Sequence, residues 1–252
     1  FVINTAAETH VGNSIASSTE FVKSNIDGVH NLLELIKNHR GENTQKPILL
    51  HFSTDEVYGD IESGAHDEEH LLKPSNPYSA TKAAADMLVM AWGRTHNIPY
   101  MIIRPTNNYG IGQYVEKLIP KAVKLLSLGR KIPLHNKGLS YRNWLHADDT
   151  ADAVITLIES GKIGEIYNVA GGFEQQNIKT VKQVITEFNQ VKNWEDFHDI
   201  EHYVDFSYNR PGEDVRYALD DSKIRSLGWK PKSVFSKEIS RIVNHYKNKF
   251  IW

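Results

Sequence analysis

The sequence predicts an α/β fold in which a doubly wound parallel sheet carries helices on both faces. Residues 1–3, 48–52 and 100–104 form short apolar runs of the length that buried parallel strands have. Between these runs, apolar residues recur at helical spacing across 21–36 and 83–91. A strand–helix–strand–helix–strand order implies parallel strands joined by right-handed crossovers, which place helices on both faces of the sheet.

The second half of the chain is predicted to mix strands and helices. Asp148 and Asp149 stand where a helix begins, because carboxylates are favoured at the positive end of the helix dipole. No internal repeat or low-complexity linker separates the halves, so the two halves are predicted to be interleaved. The other predicted elements are helices at 118–128, 181–188 and 239–246 and a strand at 166–170.

Composition excludes several classes of function. The chain has 252 residues, 29 of them basic and 31 acidic, and its net charge of −2 gives no electrostatic case for binding nucleic acid or an anionic membrane. Cysteine is absent, which excludes disulfides, thiolate zinc sites and a cysteine nucleophile. No apolar run approaches the roughly 20 residues that span a bilayer. The lack of cysteine fits a reducing compartment, so a cytoplasmic protein is expected.

Two carboxylates beside a hydroxyl follow the second predicted strand, in the run Ser53, Thr54, Asp55 and Glu56. In an open parallel sheet, ligands bind beyond the carboxyl ends of the strands. Adjacent carboxylates can act there as an acid and a base if their surroundings separate their pKa values. The alternative is a turn with two solvated acids, because turns favour aspartate and serine.

Tyr78 and Lys82 are four residues apart at the start of a predicted helix, so they share one face of it. A tyrosine titrates at about pH 10 when unperturbed, and a neighbouring ammonium favours its phenolate. This spacing predicts Tyr78 as a base for a hydroxyl, with Lys82 lowering the pKa of Tyr78 and holding a ribose. The alternative is a surface pair.

Arginines in the second half are candidates for binding a diphosphate, because a guanidinium offers paired donors. The run 210–214 begins with an arginine, and Arg142 lies two residues ahead of a tryptophan. The alternative is a polar turn with exposed charges. His66 and His70 are four residues apart with acids between them, but a metal site would need helical presentation and a third ligand, so no metal is expected.

A set of segments carries a specific resemblance to known enzymes. They are 6–11 (AAETHV), 53–59 (STDEVYG), 77–82 (PYSATK), 107–110 (NNYG), 116–120 (EKLIP), 142–144 (RNW) and 210–214 (RPGED). In this order they resemble the dTDP-glucose 4,6-dehydratase family of the extended short-chain dehydrogenase/reductase superfamily. The run of threonine, aspartate and glutamate at 54–56 separates these dehydratases from related epimerases and decarboxylases, which lack the aspartate.

The resemblance implies a Rossmann-type doubly wound parallel sheet and a smaller interleaved α/β substrate domain. Residues 1–108 would form a partial NAD-binding domain, with returning segments near 143–170, and residues 109–252 would be mainly a nucleotide-sugar-binding domain. NAD is the implied cofactor, a nucleotide-activated glucose is the implied substrate, and a homodimer is the implied assembly.

The resemblance also implies a role for each matching residue. Tyr78, assisted by Thr54 and Lys82, would deprotonate the C4 hydroxyl of glucose while NAD takes the C4 hydride. Glu56 would then remove the C5 proton, Asp55 would protonate the leaving C6 hydroxyl, and hydride would return to C6. The residues implied to lie along NAD are Ala6, Ala7, Ser24, Tyr78, Lys82 and Asn108. The residues implied to hold the nucleotide sugar are Thr9, Asn107, Glu116, Lys117, Leu118, Arg142, Asn177, Arg210 and Asp214.

Departures from the family leave alternatives open. The family begins with a strand and a glycine turn that holds a pyrophosphate at a helix N-terminus, and neither precedes Phe1. An N-terminally incomplete chain is therefore expected, and the 252 residues alone are expected to bind NAD weakly. The alternatives are a UDP-glucose 4,6-dehydratase, a nucleotide-sugar 4-epimerase or decarboxylase, and a non-catalytic fragment without the pyrophosphate loop. The motifs do not distinguish dTDP from UDP.

Overall fold

The chain divides into two units, each built from three segments of sequence. A computed structural model describes residues 1–39, 45–190, 200–212 and 214–248. Unit 1 comprises Phe1–Thr106, Ala151–Ala170 and Gly212–Lys230, and unit 2 comprises Asn107–Thr150, Gly171–Pro211 and Pro231–Trp252.

Residues 212–230 belong to unit 1, which corrects the predicted placement of this segment in the second domain. The physical reason is backbone pairing. The amide of His66 donates to the carbonyl of Ala218 at 2.9 Å, and His66 and Leu219 form a parallel bridge. A contact between residues so far apart in sequence leaves no periodic signal along the chain.

Unit 1 is organised around a parallel sheet, as the sequence predicted, and the strands of this sheet have the order β1-β2-β3-β7. Residues Ile3, Leu50 and Met101 lie in register across β1, β2 and β3, and Ile102 of β3 pairs with Ile166 of β7. The strands are β1 (Val2–Asn4), β2 (Leu49–Phe52), β3 (Tyr100–Pro105) and β7 (Glu165–Val169).

The helices of unit 1 bury apolar residues against this sheet. In α3, Val29, Leu33 and Ile36 recur at helical spacing and pack with Leu49 of β2 and Ile102 of β3. The helices are α1 (Val11–Ala16), α2 (Thr19–Val22), a π-helical segment (Lys23–Asp27), α3 (Gly28–Lys37), α4 (Pro77–His96) and α8 (Ser222–Arg225); α6 (Ala147–Ser160) contributes its residues from 151 onward.

In its described residues, unit 2 contains a mixed sheet and the amphipathic helices α5, α7 and α9. Its core includes the aromatic residues Tyr109, Trp144 and Phe235, whose rings lie 4.9–6.0 Å apart. The sheet has the order β4-β6-β8, and a second pair is formed by β5 and β9. These elements are β4 (Asn107–Tyr109), β5 (Ile132–Pro133), β6 (Tyr141–His146), β8 (Phe173–Gln176), β9 (Val204–Asp205), α5 (Leu118–Ser127), α7 (Asn177–Asn189) and α9 (Phe235–Asn248).

The helix predicted at 118–128 ends where the sequence indicated. Gly129 has a φ of +62°, a left-handed conformation that glycine adopts without strain, and the amide of Arg130 donates back to the carbonyl of Leu125 at 2.8 Å. Among the described residues, no helix has the length and apolar character needed to cross a lipid bilayer.

Candidate active site

A short turn after β2 presents the two adjacent carboxylates. The chain leaves β2 in extended conformation through Thr54, and Asp55–Tyr58 then form one turn of 3-10 helix. The turn ends at Gly59, whose φ is +81° and whose Cβ, if present, would lie 2.3 Å from the carbonyl oxygen of Lys73. Only glycine fits this position, because a side chain would meet the backbone there.

Thr54 connects three of the predicted catalytic residues. Its hydroxyl donates to Asp55 Oδ1 at 3.1 Å, and its oxygen accepts from the amide of Glu56 at 3.3 Å. The Tyr78 phenol is also hydrogen-bonded to the Thr54 hydroxyl. Asp55 is only 2% exposed, so the alternative of two solvated acids does not describe it. The Thr54 hydroxyl therefore contacts the Asp55 carboxylate, the backbone of Glu56 and the Tyr78 phenol.

The start of α4 fixes Tyr78 and Lys82. Asn76 caps the helix and exchanges hydrogen bonds with Ser79 in a capping box, and Pro77 occupies the first helical position. The amide of Tyr78 donates to the hydroxyl of Ser14 at 3.1 Å, which satisfies one of the donors left over at a helix start. Tyr78 is 7% exposed and Lys82 is 3% exposed, so the two are not a surface pair.

The pKa of Tyr78 is shifted in the direction opposite to the one predicted from the Tyr–Lys spacing. Burial raises the pKa of Tyr78 strongly, and the negative charges of Glu56 and Asp55 raise it further. Only the hydrogen bond with Thr54 opposes this shift. In the chain by itself desolvation and the neighbouring carboxylates dominate the pKa of Tyr78, and a lowering of this pKa by Lys82 stays a prediction.

Lys82 is a buried cation with unused donors. Its Nζ donates to the carbonyl oxygen of Phe52 at 2.5 Å. Burial lowers the pKa of Lys82 from 10.5 to about 8, although the nearby carboxylate of Asp86 opposes this shift. An ammonium has three hydrogens, and in the described part of the chain one of them is occupied by Phe52. The others suit hydroxyl groups such as those of a ribose.

Replacing Lys82 by methionine is expected to raise the free energy of unfolding at neutral pH. The folded protein releases the Lys82 proton near pH 8, whereas the unfolded chain keeps it until about pH 10.4. The unfolded state therefore binds more protons across this window, so the wild-type stability rises with pH between these values. At pH 7 the buried charge of Lys82 lowers the free energy of unfolding by up to about 3 kcal/mol.

Urea denaturation of the wild type and of Lys82→Met at several pH values measures this cost. The variant should be the more stable protein at pH 7, and the two curves should converge as the pH rises through the window. A difference in stability that stays constant with pH would mean that packing, and not the charge of Lys82, separates the two proteins.

A buried polar network that the sequence did not reveal joins α4 to β3. Arg104 Nε donates to Asp86 Oδ2 at 2.9 Å, and Arg104 Nη1 donates to the Tyr58 hydroxyl at 2.7 Å. Tyr58 in turn donates to Asn168 Oδ1 at 2.9 Å, and burial raises the pKa of Tyr58 to about 12, which keeps it a donor. The one available signal was the position of Asp86, four residues after Lys82 on the same helix face.

Asn25 is a second residue that the sequence did not reveal. It is buried in the π-helical segment, a feature that occurs often at functional sites. Its Oδ1 accepts from the amide of Glu8 at 2.8 Å, and its Nδ2 donates to the Glu8 carbonyl at 3.0 Å and to Thr81 Oγ1 at 2.9 Å. Asn25 therefore fastens the loop after β1 to the helix that carries Tyr78 and Lys82.

The predicted cofactor residues of the first segments lie near the carboxyl end of β1. Ala6 and Ala7 follow this strand directly, and Ser24 is partly buried beside Asn25 in the π-helical segment. Thr9, a predicted substrate residue, is exposed on the same loop. Ligands of parallel sheets bind at this end of the strands, so the placement is consistent with a binding role.

Other predicted residues lie in unit 2, on and around its mixed sheet. Asn107 and Asn108 form part of β4, and the side chain of Asn108 accepts from the Thr150 hydroxyl at 2.5 Å. Asn177 begins α7. Within the described part of the chain, the buried amide oxygens of Asn107 and Asn177 have no hydrogen-bond partner. Buried polar atoms usually have partners, so these oxygens are suited to receive donors from a ligand.

The charged residues predicted to bind substrate have different surroundings. Lys117 pairs with Glu116 at 3.2 Å directly before α5, which begins at Leu118. Arg142 is buried on β6, where its Nη1 donates to the carbonyl of Tyr141 at 2.6 Å, and Arg210 is partly buried.

Asp214 lies in unit 1, not in the second domain as predicted. Its Oδ2 accepts short hydrogen bonds from the hydroxyls of Ser75 and Tyr217. Its carboxylate is therefore engaged with side chains of the protein, and a direct role in holding substrate stays a prediction.

The two histidines with metal-like spacing have other partners. His66 stacks on the ring of Tyr58 with centroids 5.1 Å apart, and His70 Nδ1 lies 2.7 Å from Asp67 Oδ1. Across the described residues, no group of three histidine, cysteine, aspartate or glutamate side chains is arranged to hold a metal ion.

Comparison with known proteins agrees with this geometry. A model of the GDP-mannose 4,6 dehydratase family matches residues 1–242. The chain belongs to this family. The dTDP-glucose 4,6-dehydratase of Streptomyces niveus is 39% identical over 252 residues, which cover 100% of this chain and 71% of that protein.

Two further relatives bear on fold and substrate. A solved dTDP-glucose 4,6-dehydratase from Streptomyces venezuelae, with NAD bound, has a TM-score of 0.87 at 35% identity, and the match covers 98% of this chain and 72% of that one. A trifunctional Arabidopsis thaliana protein, named first as a UDP-glucose 4,6-dehydratase, is 38% identical over 100% of this chain and 36% of its own length. The predicted family and the predicted α/β fold are thereby confirmed.

Proposed function

We propose that the protein is an NAD-dependent hydro-lyase that converts a nucleotide-activated glucose, with dTDP-glucose favoured, into the 4-keto-6-deoxy sugar nucleotide. The observation that carries this proposal is the Thr54 hydroxyl, which contacts Asp55, Glu56 and Tyr78. Dehydration of a sugar by this route requires an acid, a base and a group that removes the proton of the C4 hydroxyl, all close to the same sugar ring. The names of the relatives support the same reaction.

The side chains of unit 1 fit a nicotinamide cofactor. Lys82 offers donors in a buried setting at the carboxyl end of β2, and Ala6, Ala7 and Ser24 lie near the end of β1. By the resemblance, Asn108 would contribute as well. When bound, NAD would supply a hydride acceptor for C4 and a hydride donor for C6. A solved relative contains NAD.

Tyr78 would accept the proton of the C4 hydroxyl. Its phenol has a raised pKa in the chain alone, so it must be ionised by a change in its surroundings when substrate is present. Two groups of the protein would stabilise the phenolate once it forms. Thr54 already hydrogen-bonds the phenol, and Lys82 is a cation on the same helix face.

Asp55 and Glu56 would then complete the elimination. A ketone at C4 acidifies the C5 hydrogen, and Glu56 takes it as a proton. The electron pair of the broken C5–H bond forms the C5–C6 double bond. The C6–oxygen bond breaks as Asp55 donates its proton, and water leaves. One carboxyl must be ionised and the other protonated at the same moment, which requires different surroundings for the two. Asp55 is buried and bound by Thr54, whereas Glu56 is partly exposed.

The direct test is to incubate the natural full-length protein with NAD and, in separate reactions, dTDP-glucose, UDP-glucose or a UDP-linked uronic acid. Product that has lost one water, detected by mass spectrometry, would support dehydration, and the faster substrate would identify the nucleotide. A product of unchanged mass with inverted C4 would favour the epimerase alternative, and loss of carbon dioxide from a uronic acid would favour the decarboxylase. No turnover of any of these substrates would favour the non-catalytic alternative.

UDP-glucose is the second candidate substrate because of the Arabidopsis thaliana relative. The predicted substrate residues Asn107 and Asn177 have buried amide oxygens, which can accept a donor without distinguishing one base from another. We also propose that the enzyme works as a homodimer in the cytoplasm, as the resemblance implies, and light scattering of the purified protein would give its mass in solution.

A further inference from the structure

We infer that Tyr217 is a positioning residue for Glu56, the base proposed for C5, and that it links Glu56 to Asp214. The Tyr217 hydroxyl lies 3.4 Å from Glu56 Oε2 and makes a shorter hydrogen bond with Asp214 Oδ2. All three residues belong to unit 1, and Tyr217 and Asp214 are buried. The inference rests on the proposed function, because it assigns a role within the C5 step.

Tyr217 is held in place by pairing of its own segment. The amide of Arg216 donates to Asp60 Oδ1 at 2.7 Å, and the carbonyl of Arg216 accepts from the amide of Ile61 at 3.2 Å. On the other side, the carbonyl of Ala218 accepts from the amide of His66 at 2.9 Å. Both sequence neighbours of Tyr217 are therefore hydrogen-bonded to the loop that follows Gly59. These bonds fix the backbone position of Tyr217 relative to Glu56.

The Tyr217 hydroxyl can exchange its one hydrogen between two carboxylate neighbours. A tyrosine hydroxyl has one hydrogen and can also accept. Asp214 receives a second donor from the hydroxyl of Ser75, so it keeps a partner if Tyr217 turns its hydrogen toward Glu56. Tyr217 can donate to Glu56 while the carboxylate is ionised, and it can accept from Glu56 once the carboxyl has taken the C5 proton.

This arrangement separates two carboxylates that would otherwise repel each other. Glu56 and Asp214 both contact the same hydroxyl, and removing it would take away a donor that lies between these two negative charges. Glu56 would then lose the hydrogen bond that orients it. We therefore expect the hydroxyl of Tyr217 to matter for proton removal at C5 and not for oxidation at C4.

The test is Tyr217→Phe in the full-length protein, with uptake of deuterium from D2O at C5 as the main readout. A hydrogen bond to a charged group contributes about 1.5–3 kcal/mol, so C5 exchange and dehydration should slow by roughly 10- to 100-fold. KM for the nucleotide sugar should change little. Because oxidation at C4 continues, bound reduced cofactor should accumulate and be visible by its absorbance.

Tyr167→Phe is the matched control. Its hydroxyl is also buried in unit 1 and accepts from the amide of Lys162 at 2.9 Å, so its loss tests the general effect of removing such a bond. Thermal unfolding should show similar losses of stability for both variants, while only Tyr217→Phe slows the C5 step.

Ser75→Ala is a second variant that keeps the phenol. Loss of the serine donor should draw the Tyr217 hydrogen to Asp214, and C5 exchange should slow in the same direction by a smaller factor. Unchanged C5 exchange in the folded variants would overturn the inference while leaving the proposed function intact. A wild-type protein that dehydrates no nucleotide glucose would overturn both.

Discussion

Replacing Asp55 by asparagine is expected to lower the rate of dehydration by about 10²- to 10⁴-fold, because an amide cannot donate the proton that the leaving C6 hydroxyl requires. The substitution preserves the shape of the side chain, and its oxygen can still accept from the Thr54 hydroxyl. C4 oxidation uses other groups, so it should continue. The measurement is product formation by mass spectrometry together with the absorbance of reduced cofactor.

Glu56→Gln is the comparison that separates the two carboxyl groups. Asp55→Asn should still exchange the C5 hydrogen with D2O, because Glu56 remains a base, whereas Glu56→Gln should stop this exchange. If Asp55→Asn formed product at the wild-type rate, Asp55 would not be the acid. If both variants exchanged C5 normally, neither carboxylate would be the base.

The second large effect concerns stability. Arg104→Met is expected to lower the free energy of unfolding by about 3–5 kcal/mol, because it leaves the buried Asp86 carboxylate without the arginine that forms an ion pair with it. Arg104 and Asp86 are 1% and 0% exposed, and their contact of 2.9 Å is shielded from water. The same change removes the donor to Tyr58. Urea denaturation at neutral pH, with circular dichroism as the signal, measures the loss.

Two controls make this prediction specific. Arg241→Met breaks the ion pair with Glu238, in which the Arg241 side chain is 62% exposed, and exposed pairs contribute about 0–1 kcal/mol. The double variant Asp86→Asn, Arg104→Met should recover part of the lost stability, since neither partner of the buried ion pair is then charged. A loss below about 1 kcal/mol for Arg104→Met would mean that water reaches Asp86 when the arginine is absent.

The sequence predicted those elements whose signal is local. The strand at 48–52 and the helix at 118–128 follow from apolar runs, helical spacing and a terminating glycine, and the structure places them at Leu49–Phe52 and Leu118–Ser127. The position of Thr54, Asp55 and Glu56 was also foreseeable, because they directly follow a parallel strand, at whose carboxyl end ligands bind.

The contacts that sequence could not predict join residues far apart along the chain. Tyr58 and Asn168 are 110 positions apart, and Tyr217 and Glu56 are 161 apart, so no periodicity relates the members of either pair. The upward shift of the pKa of Tyr78 could not be predicted from the sequence for a related reason. Spacing on a helix identifies a neighbouring cation, but burial and charges from other segments depend on the whole fold.

The backbone conformation at Gly59 restricts which residues can occupy this position. Any side chain there would push against the Lys73 carbonyl, and the displaced segment is the turn that carries Asp55 and Glu56. Gly64 also has a positive φ, of +77°, but a Cβ there would meet open space. Replacing glycine by a small residue therefore has unequal consequences at the two positions: at 64 the new residue meets only the strain of a left-handed backbone, whereas at 59 it also collides with the Lys73 carbonyl.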